Sequence, residues 1–331
     1  MSFIKRLEQY AEKNWITEKY RVILADLYEC YASTLKDHNM DIAPYERIFD
    51  TYLELMKEQL KEPFVFAPYH KQILSPFDYY NYGLEFLKPL VDLPHSTLAG
   101  IHNIRQIEQE LAQGHNVILL ANHQIEADPQ VISILLEKEF PIIGENMIFV
   151  AGERVLTDPL AIPFSMGRNL LCIYSKKYID YPPELKTQKQ LHNKKTMELM
   201  SELLTEGGKC IYVAPSGGRD RPNAEGVVEV APFDGQSIEM FYLMARRAKT
   251  ITHFHPLALA TYPLLPPPNT IQVTLGEERK LQRGAIHAAF GGVIDMDHFP
   301  GSDLSDKHER RQARAEFICS LVKQEYSKFP S

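Results

Sequence analysis

The chain has 331 residues, enough for one large domain or two with an ample core. With 44% hydrophobic and 24% charged residues it has the composition of an ordinary soluble globular protein. Its net charge of −7 argues against broad nucleic-acid binding and against general attraction to an anionic membrane, leaving at most peripheral contact there. No apolar run approaches the ~20 residues of a spanning helix, and the start, Met1-Ser2-Phe3-Ile4-Lys5-Arg6-Leu7-Glu8, lacks a signal core. Cys30, Cys172, Cys210 and Cys319 form no C-x-x-C pair and read as thiols in a reducing compartment, so cytoplasm is the expectation.

Residues 1 to about 62 read as a small helical bundle. Tyr20, Leu24, Leu27, Tyr28, Tyr31 and Leu35 recur at three- and four-residue spacing after a capping candidate, Thr17. Tyr45, Ile48, Phe49, Tyr52, Met56 and Leu60 do the same after Pro44, and both stripes predict core. Between Glu62 and Ser75 the texture changes, with Pro63, Pro68 and Pro76 and no clear period. A boundary there divides the chain into residues 1–75 and 76–331.

Helix candidates follow from Pro76 through Leu87 and over 101–113, the second ending at Gly114. Strands and helices then alternate: strand 117–120, helix 129–138, strands 147–150 and 170–174, a polar loop, and a helix from Thr196 closed by Gly207-Gly208. Strand 210–214, helix 238–246, strands 256–260 and 271–275, and a charged helix 306–328 complete the series. Such alternation predicts a mixed α/β fold, its sheet mostly parallel with helices on both faces.

The stretch Val117-Ile-Leu-Leu-Ala-Asn-His-Gln-Ile-Glu-Ala-Asp128 carries the first chemical signal. An unbroken apolar run that stops at Asn122 is a strand buried on both faces, and His123 then lies at its carboxyl end, where open α/β sheets place ligands. Asp128, at the start of the next helix, can meet His123, fix its tautomer and stabilise the imidazolium. The same spacing recurs at His298 and Asp303, but in a Pro- and Gly-containing stretch that reads as a surface loop. Spacing alone leaves open whether Asp128 is catalytic or a helix cap beside an unrelated histidine.

Two loops after predicted strands concentrate positive charge: Ser175-Lys176-Lys177-Tyr178 and Ala214-Pro-Ser-Gly-Gly-Arg-Asp-Arg-Pro222. The paired glycines allow close approach, and Arg219 and Arg221 bring forked donors suited to phosphate. The bland alternative is a solvated turn in which Asp220 neutralises a neighbour. If the sheet is parallel, both loops open on the edge that holds His123. The chain has no Walker A motif, dinucleotide fingerprint or G-x-S-x-G elbow. His253 and His255 would share one side of a strand, but with no acid at ligand spacing a structural role is favoured over a metal site.

Together these segments resemble the soluble glycerol-3-phosphate acyltransferases of the plastid type, which also occur in some bacteria. The matching stretches are Asn122-His-Gln-Ile-Glu-Ala-Asp-Pro129, Val150-Ala-Gly-Glu-Arg154, Thr157-Asp-Pro-Leu160, Pro163-Phe-Ser-Met-Gly-Arg-Asn169, Tyr174-Ser-Lys-Lys177, Ala214-Pro-Ser-Gly-Gly-Arg-Asp-Arg-Pro222 and Ala231-Pro-Phe-Asp234. The resemblance implies a helical bundle followed by a larger α/β domain. It implies transfer of a fatty acyl group from an acyl carrier protein or coenzyme A thioester to the sn-1 hydroxyl of glycerol 3-phosphate. It makes His123 the general base and Asp128 its orienting carboxylate, with Lys177, Arg219 and Arg221 at the phosphate. Plant members have a histidine where this chain has Tyr178, which can donate a hydrogen bond but adds no charge. The stroma of a plastid is the expected compartment if a transit peptide has been removed.

A thioester is already activated, so a base and positioning suffice, with no metal or other cofactor. Backbone N–H groups near Gly167 or Ser216 are oxyanion candidates, and Phe164 and Met166 are candidates for an acyl groove. Lys186, Lys189, Lys194, Lys195, Arg246 and Arg247 could dock an acidic carrier protein. A monomer is expected. The alternatives are a 1-acyl-glycerol-3-phosphate acyltransferase, or a phosphate- or acyl-carrier-binding module without turnover.

Overall fold

The computed structural model describes residues 2–175, 179–268, 276 and 279–330. The expected strand at 271–275 and the residues Lys176, Lys177 and Tyr178 lie outside the described residues.

Three helices open the chain: α1 (Phe3–Glu12), α2 (Glu18–Asp37) and α3 (Glu46–Lys61). Their apolar stripes are buried, Phe3, Leu7, Leu24, Tyr31, Phe49, Tyr52 and Met56 all to 1% exposure or less. Aromatic spacing thus serves packing: the Phe49 ring lies edge-on to Tyr28 and Tyr31, with centroids 5.0 Å apart in each pair. Thr17 occupies the N-cap of α2, although its side chain makes no capping bond.

Next come β1 (Tyr69–His70), α4 (Tyr79–Leu87), β2 (Thr97–Ala99), α5 (Ile101–Ala112) and β3 (Asn116–Ala121). After them lie α6 (Asp128–Leu136), α7 (Pro141–Asn146), β4 (Ile148–Gly152), α8 (Glu153–Thr157), α9 (Ile162–Met166) and β5 (Asn169–Ile173). The chain continues through α10 (Lys186–Glu206), β6 (Cys210–Val213), a two-stranded hairpin of β7 (Arg221–Pro222) and β8 (Val228–Glu229), and α11 (Gly235–Ala248). It closes with β9 (Thr252–Ala260), β10 (His287–Phe290) and α12 (Lys307–Tyr326).

Among the described residues the main sheet has the order β1-β5-β4-β6-β3-β9-β10-β2. The inner strands β5, β4, β6, β3 and β9 are mutually parallel; β10 runs antiparallel to β9, and β1 antiparallel to β5. Every residue of β3 is buried, as its unbroken apolar run requires for a central strand covered on both faces. The carboxyl ends of β3, β4, β5, β6 and β9 all open on one edge.

Gly100 ties the last pair of strands to α5. Its φ is +75°, and a Cβ there would stand 2.0 Å from the Phe290 carbonyl oxygen, so only glycine allows this approach.

The expected division at residue 75 is a change of chain texture rather than a break in the core. Phe3, Tyr31, Phe49 and Tyr52 of the helices belong to the same continuous apolar cluster as Val117, Leu119, Leu257 and Phe290 of the sheet. The bundle is therefore one cover of the sheet. Helices α10, α11 and α12 form the other, over Ile118, Leu120, Ile211 and Ala258. The helix expected from Thr196 starts ten residues earlier, at Lys186. Its first turns carry no apolar stripe; they are held by Lys189, which is buried and bonds Glu153 and the Tyr181 carbonyl. That takes Lys189 out of the expected carrier dock, whereas Lys186, Lys194, Lys195, Arg246 and Arg247 are exposed.

Candidate active site

Strand β3 delivers Asn122 to the sheet edge, and the loop from there to α6 is held by two buried polar side chains, Asn122 and Gln124. Asn122 donates to the Leu259 carbonyl (2.9 Å) and accepts the Leu259 N–H (2.8 Å), while its own carbonyl takes the Tyr212 hydroxyl at 2.8 Å. Gln124 accepts the N–H groups of Thr261 (2.6 Å) and Tyr262 (2.9 Å). Both side chains are fully buried, so each bond answers a group that would otherwise be left unsatisfied. Between them stands His123, 29% exposed and hence reachable by a substrate.

His123 Nδ1 lies 2.8 Å from Asp128 Oδ2. A carboxylate only accepts, so Nδ1 carries the proton and Nε2 is the basic nitrogen. The same Oδ2 accepts the N–H groups of Gln124 (2.8 Å) and Ile125 (3.3 Å), and Oδ1 accepts the Thr261 hydroxyl at 2.6 Å. Asp128 is fully buried and begins α6, where the helix dipole favours a negative charge. It therefore orders the loop as well as the imidazole.

The Gly217-Gly218-Arg219 loop follows β6, beside β3, and joins this structure directly. The Asp220 N–H donates to the His123 carbonyl at 2.6 Å. The Asp220 carboxylate turns inward and does not neutralise a neighbouring arginine: it accepts Asn122 Nδ2 (2.7 Å), Gln124 Nε2 (3.3 Å) and the Ala231 N–H (2.9 Å). Burial pushes its pKa up, partly offset by those donors. Since alternate residues of an extended chain face opposite ways, burying Asp220 turns Arg219 and Arg221 outward together. Arg221 also donates to the Pro268 carbonyl at 2.7 Å.

Other expected site residues distribute differently. Ser216 lies on the site's edge, its hydroxyl bonded to the Gly218 carbonyl at 2.9 Å. Met166 and Gly167 precede β5 and so sit at the opposite edge of the sheet from His123, which corrects their expected place at the oxyanion and acyl groove. Met166 is 6% exposed; its carbonyl takes the Ile73 N–H (2.9 Å) and lies 3.1 Å from His70 Nε2. Gly167 packs so closely on the Tyr79–Tyr80 backbone that a Cβ would come within 2.5 Å of it. Phe164 is wedged among Tyr52 of α3 and Tyr82 and Phe86 of α4, packed between helices.

His253 and His255 do share one side of β9, and both meet an acid that spacing could not reveal. Glu110 of α5 stands 3.2 Å from His255 Nε2 and 3.7 Å from His253 Nδ1. These groups lie in the first half of β9, away from the His123 edge. His298 and its neighbour Asp295 form an exposed pair, in keeping with a surface loop.

A histidine–aspartate pair and an arginine loop stand on the carboxyl edge of a parallel sheet, and residues 98–260 match the Acyltransferase family model. The chain is similar to chloroplastic glycerol-3-phosphate acyltransferases: that of Spinacia oleracea is 45% identical over 276 residues, 83% of this chain and 58% of that one. One from Cucurbita moschata is 40% identical over 269 residues (81% and 60%), and that of Arabidopsis thaliana 38% over 268 (81% and 58%). The chain thus spans somewhat under two thirds of the length of these relatives. The solved 1-acyl-sn-glycerophosphate acyltransferase of Thermotoga maritima is a distant likeness, with TM-score 0.44 and 15% identity over 95% of this chain and 100% of that one. Among the described residues no helix is long and apolar enough to cross a membrane.

Thr261, Asn122 and Gln124 were not singled out from sequence. Thr261 directly follows β9, and its meeting with Asp128 depends on β9 lying next to β3, which no local pattern encodes.

Proposed function

We propose that the chain is a glycerol-3-phosphate 1-O-acyltransferase, taking its acyl group from an acyl carrier protein or coenzyme A thioester. His123 Nε2 removes the proton of the sn-1 hydroxyl as that oxygen attacks the thioester carbonyl. The tetrahedral oxyanion collapses, expelling the thiolate, which takes the proton back from the imidazolium. Asp128 balances the charge on the ring meanwhile. Arg219 and Arg221, with Lys177 and Tyr178, hold the phosphate and so present the hydroxyl to the base. Because the thioester is already activated, no cofactor takes part. The protein works as a monomer in an aqueous compartment, with at most peripheral membrane contact.

One observation carries this reading: the 2.6 Å bond from the Asp220 amide to the His123 carbonyl, which fastens the arginine loop to the loop of the base. The names of the relatives support the choice of acceptor. The test is His123→Ala, assayed for thiol release from acyl thioesters of both kinds. Transfer should be abolished while glycerol 3-phosphate still binds; a folded variant with full activity would refute the assignment.

A further inference from the structure

Three largely enclosed arginines each answer an acid. The Nε and Nη2 edge of Arg279 grips the Glu126 carboxylate, Arg314 pairs with Glu239, and Arg283 meets Asp92 at 3.3 Å. Arg168, the residue before β5, departs from this pattern. It is only 3% exposed, yet among the described residues no acid lies within ion-pair reach of it.

Two contacts fix the guanidinium. Nη1 donates to the Ser133 hydroxyl of α6 at 2.6 Å, and the Tyr80 ring of α4 covers it, with Cζ 4.6 Å from the ring centroid. Ser133 is held in turn, its oxygen 3.1 Å from the Pro129 carbonyl and 3.0 Å from that of Gly144 in α7. Nε and Nη2 are shut away from solvent and meet no acceptor among the described residues. They form the same two-pronged edge with which Arg279 takes a carboxylate.

A neutral group can answer a buried donor, but a buried charge calls for an opposite one. Burial pulls the pKa of Arg168 down to about 10, with Tyr80 acting the other way, so at neutral pH the group is still charged. Tyr80 offers it a π face and Ser133 a lone pair, and neither brings a negative charge.

We propose that Arg168, Ser133 and Tyr80 enclose a binding site for a small inorganic monoanion of the chloride class, held by Nε and Nη2. One such charge balances one guanidinium. Because both nitrogens are shut away from solvent, the ligand is a bare ion and not the end group of a larger molecule. Arg168 leads into β5 and so lies on the sheet edge opposite His123. The ion is therefore a structural counter-ion, and the site does not depend on the acyl transfer proposed above.

The experiment follows urea unfolding of the whole chain in sodium chloride and in sodium gluconate at one ionic strength. It compares wild type, Arg168→Met and a control at an exposed arginine, Arg105→Met. Wild type and control should gain stability along a saturable binding curve in chloride. At a hundred times the dissociation constant, their folded-to-unfolded ratio should be about a hundredfold higher than without chloride. Arg168→Met should lose this gain. A wild type indifferent to chloride would overturn the proposal, as would a variant whose stability differs from wild type by the same amount in both salts. Should Arg168→Met not fold, bromide in crystals of the wild type decides. An anomalous peak in hydrogen-bond reach of Nε and Nη2 supports the site, and the lack of one overturns it.

Discussion

Replacing Asp128 separates two jobs that the carboxylate performs together. Asn at this position has one comfortable pose: its oxygen takes the place of Oδ2, facing His123 Nδ1 and the N–H groups of Gln124 and Ile125, and its NH2 meets the Thr261 hydroxyl, which can accept. The reverse pose would set an NH2 against three donors. Asp128→Asn therefore keeps the loop and the tautomer but removes the charge opposite the imidazolium. Unit charges about 4 Å apart at an effective dielectric of 20 interact by roughly 4 kcal/mol. Part of that is retained by the amide dipole, so kcat should fall about 10²–10³-fold with KM little changed. Asp128→Ala also orphans two buried N–H groups, at about 1–3 kcal/mol each, so it should lose about 2–6 kcal/mol of stability besides activity. Thiol-release kinetics and urea unfolding on both variants provide the comparison. An Asn variant with undiminished kcat, or one as unstable as the Ala variant, would show that the pair does not work this way.

Three further outcomes follow from the packing. Gly167→Ala forces a Cβ to within 2.5 Å of backbone that cannot yield, so it should cost about 1–3 kcal/mol in urea unfolding and leave kcat per folded molecule intact; a kcat loss without destabilisation would return Gly167 to the site. Asp220→Asn turns an amide NH2 toward one of three donors and should cost about 1–3 kcal/mol while raising KM for glycerol 3-phosphate; a variant unchanged in both would deny the anchor. Burial holds the imidazoles of His70, His253 and His287 below their usual value. Their folded pKa lies under the unfolded value of about 6.5, so their contribution is complete above that pH and is lost as pH falls through the folded values. The urea midpoint should drop between about pH 7.5 and 5.5, less steeply in His287→Phe, and a flat profile would contradict the burial argument.

What could be read in the sequence was whatever a local period encodes. The continuous apolar run of β3 announced a doubly covered strand, which in turn placed His123 at a sheet edge and Asp128 at a helix start. Strands β1, β2 and β10, at two to four residues, are too short to show alternation and are made by their neighbours. The first turns of α10 have no apolar stripe; the partners of Lys189 explain them. Met166 and Gly167 stand apart from the site because a residue that leads into a parallel strand belongs to the edge opposite one that leaves it. Asp220 shows the reverse case, since it sits between two arginines in sequence and faces away from both in space. Glu110, Thr261 and Arg279 meet their partners only through the order of strands or the route of a distant segment, and no spacing rule reaches so far.

The flanks of the main sheet have a bearing on how such a protein survives at high concentration. Among the described residues it ends on one side in the two residues of β1 and on the other in the three of β2. An incoming chain would find at most a few unpaired amides to build upon, too short a template for strand addition or fibril growth. A wide, strongly apolar interior is thereby kept from becoming a seed for self-association.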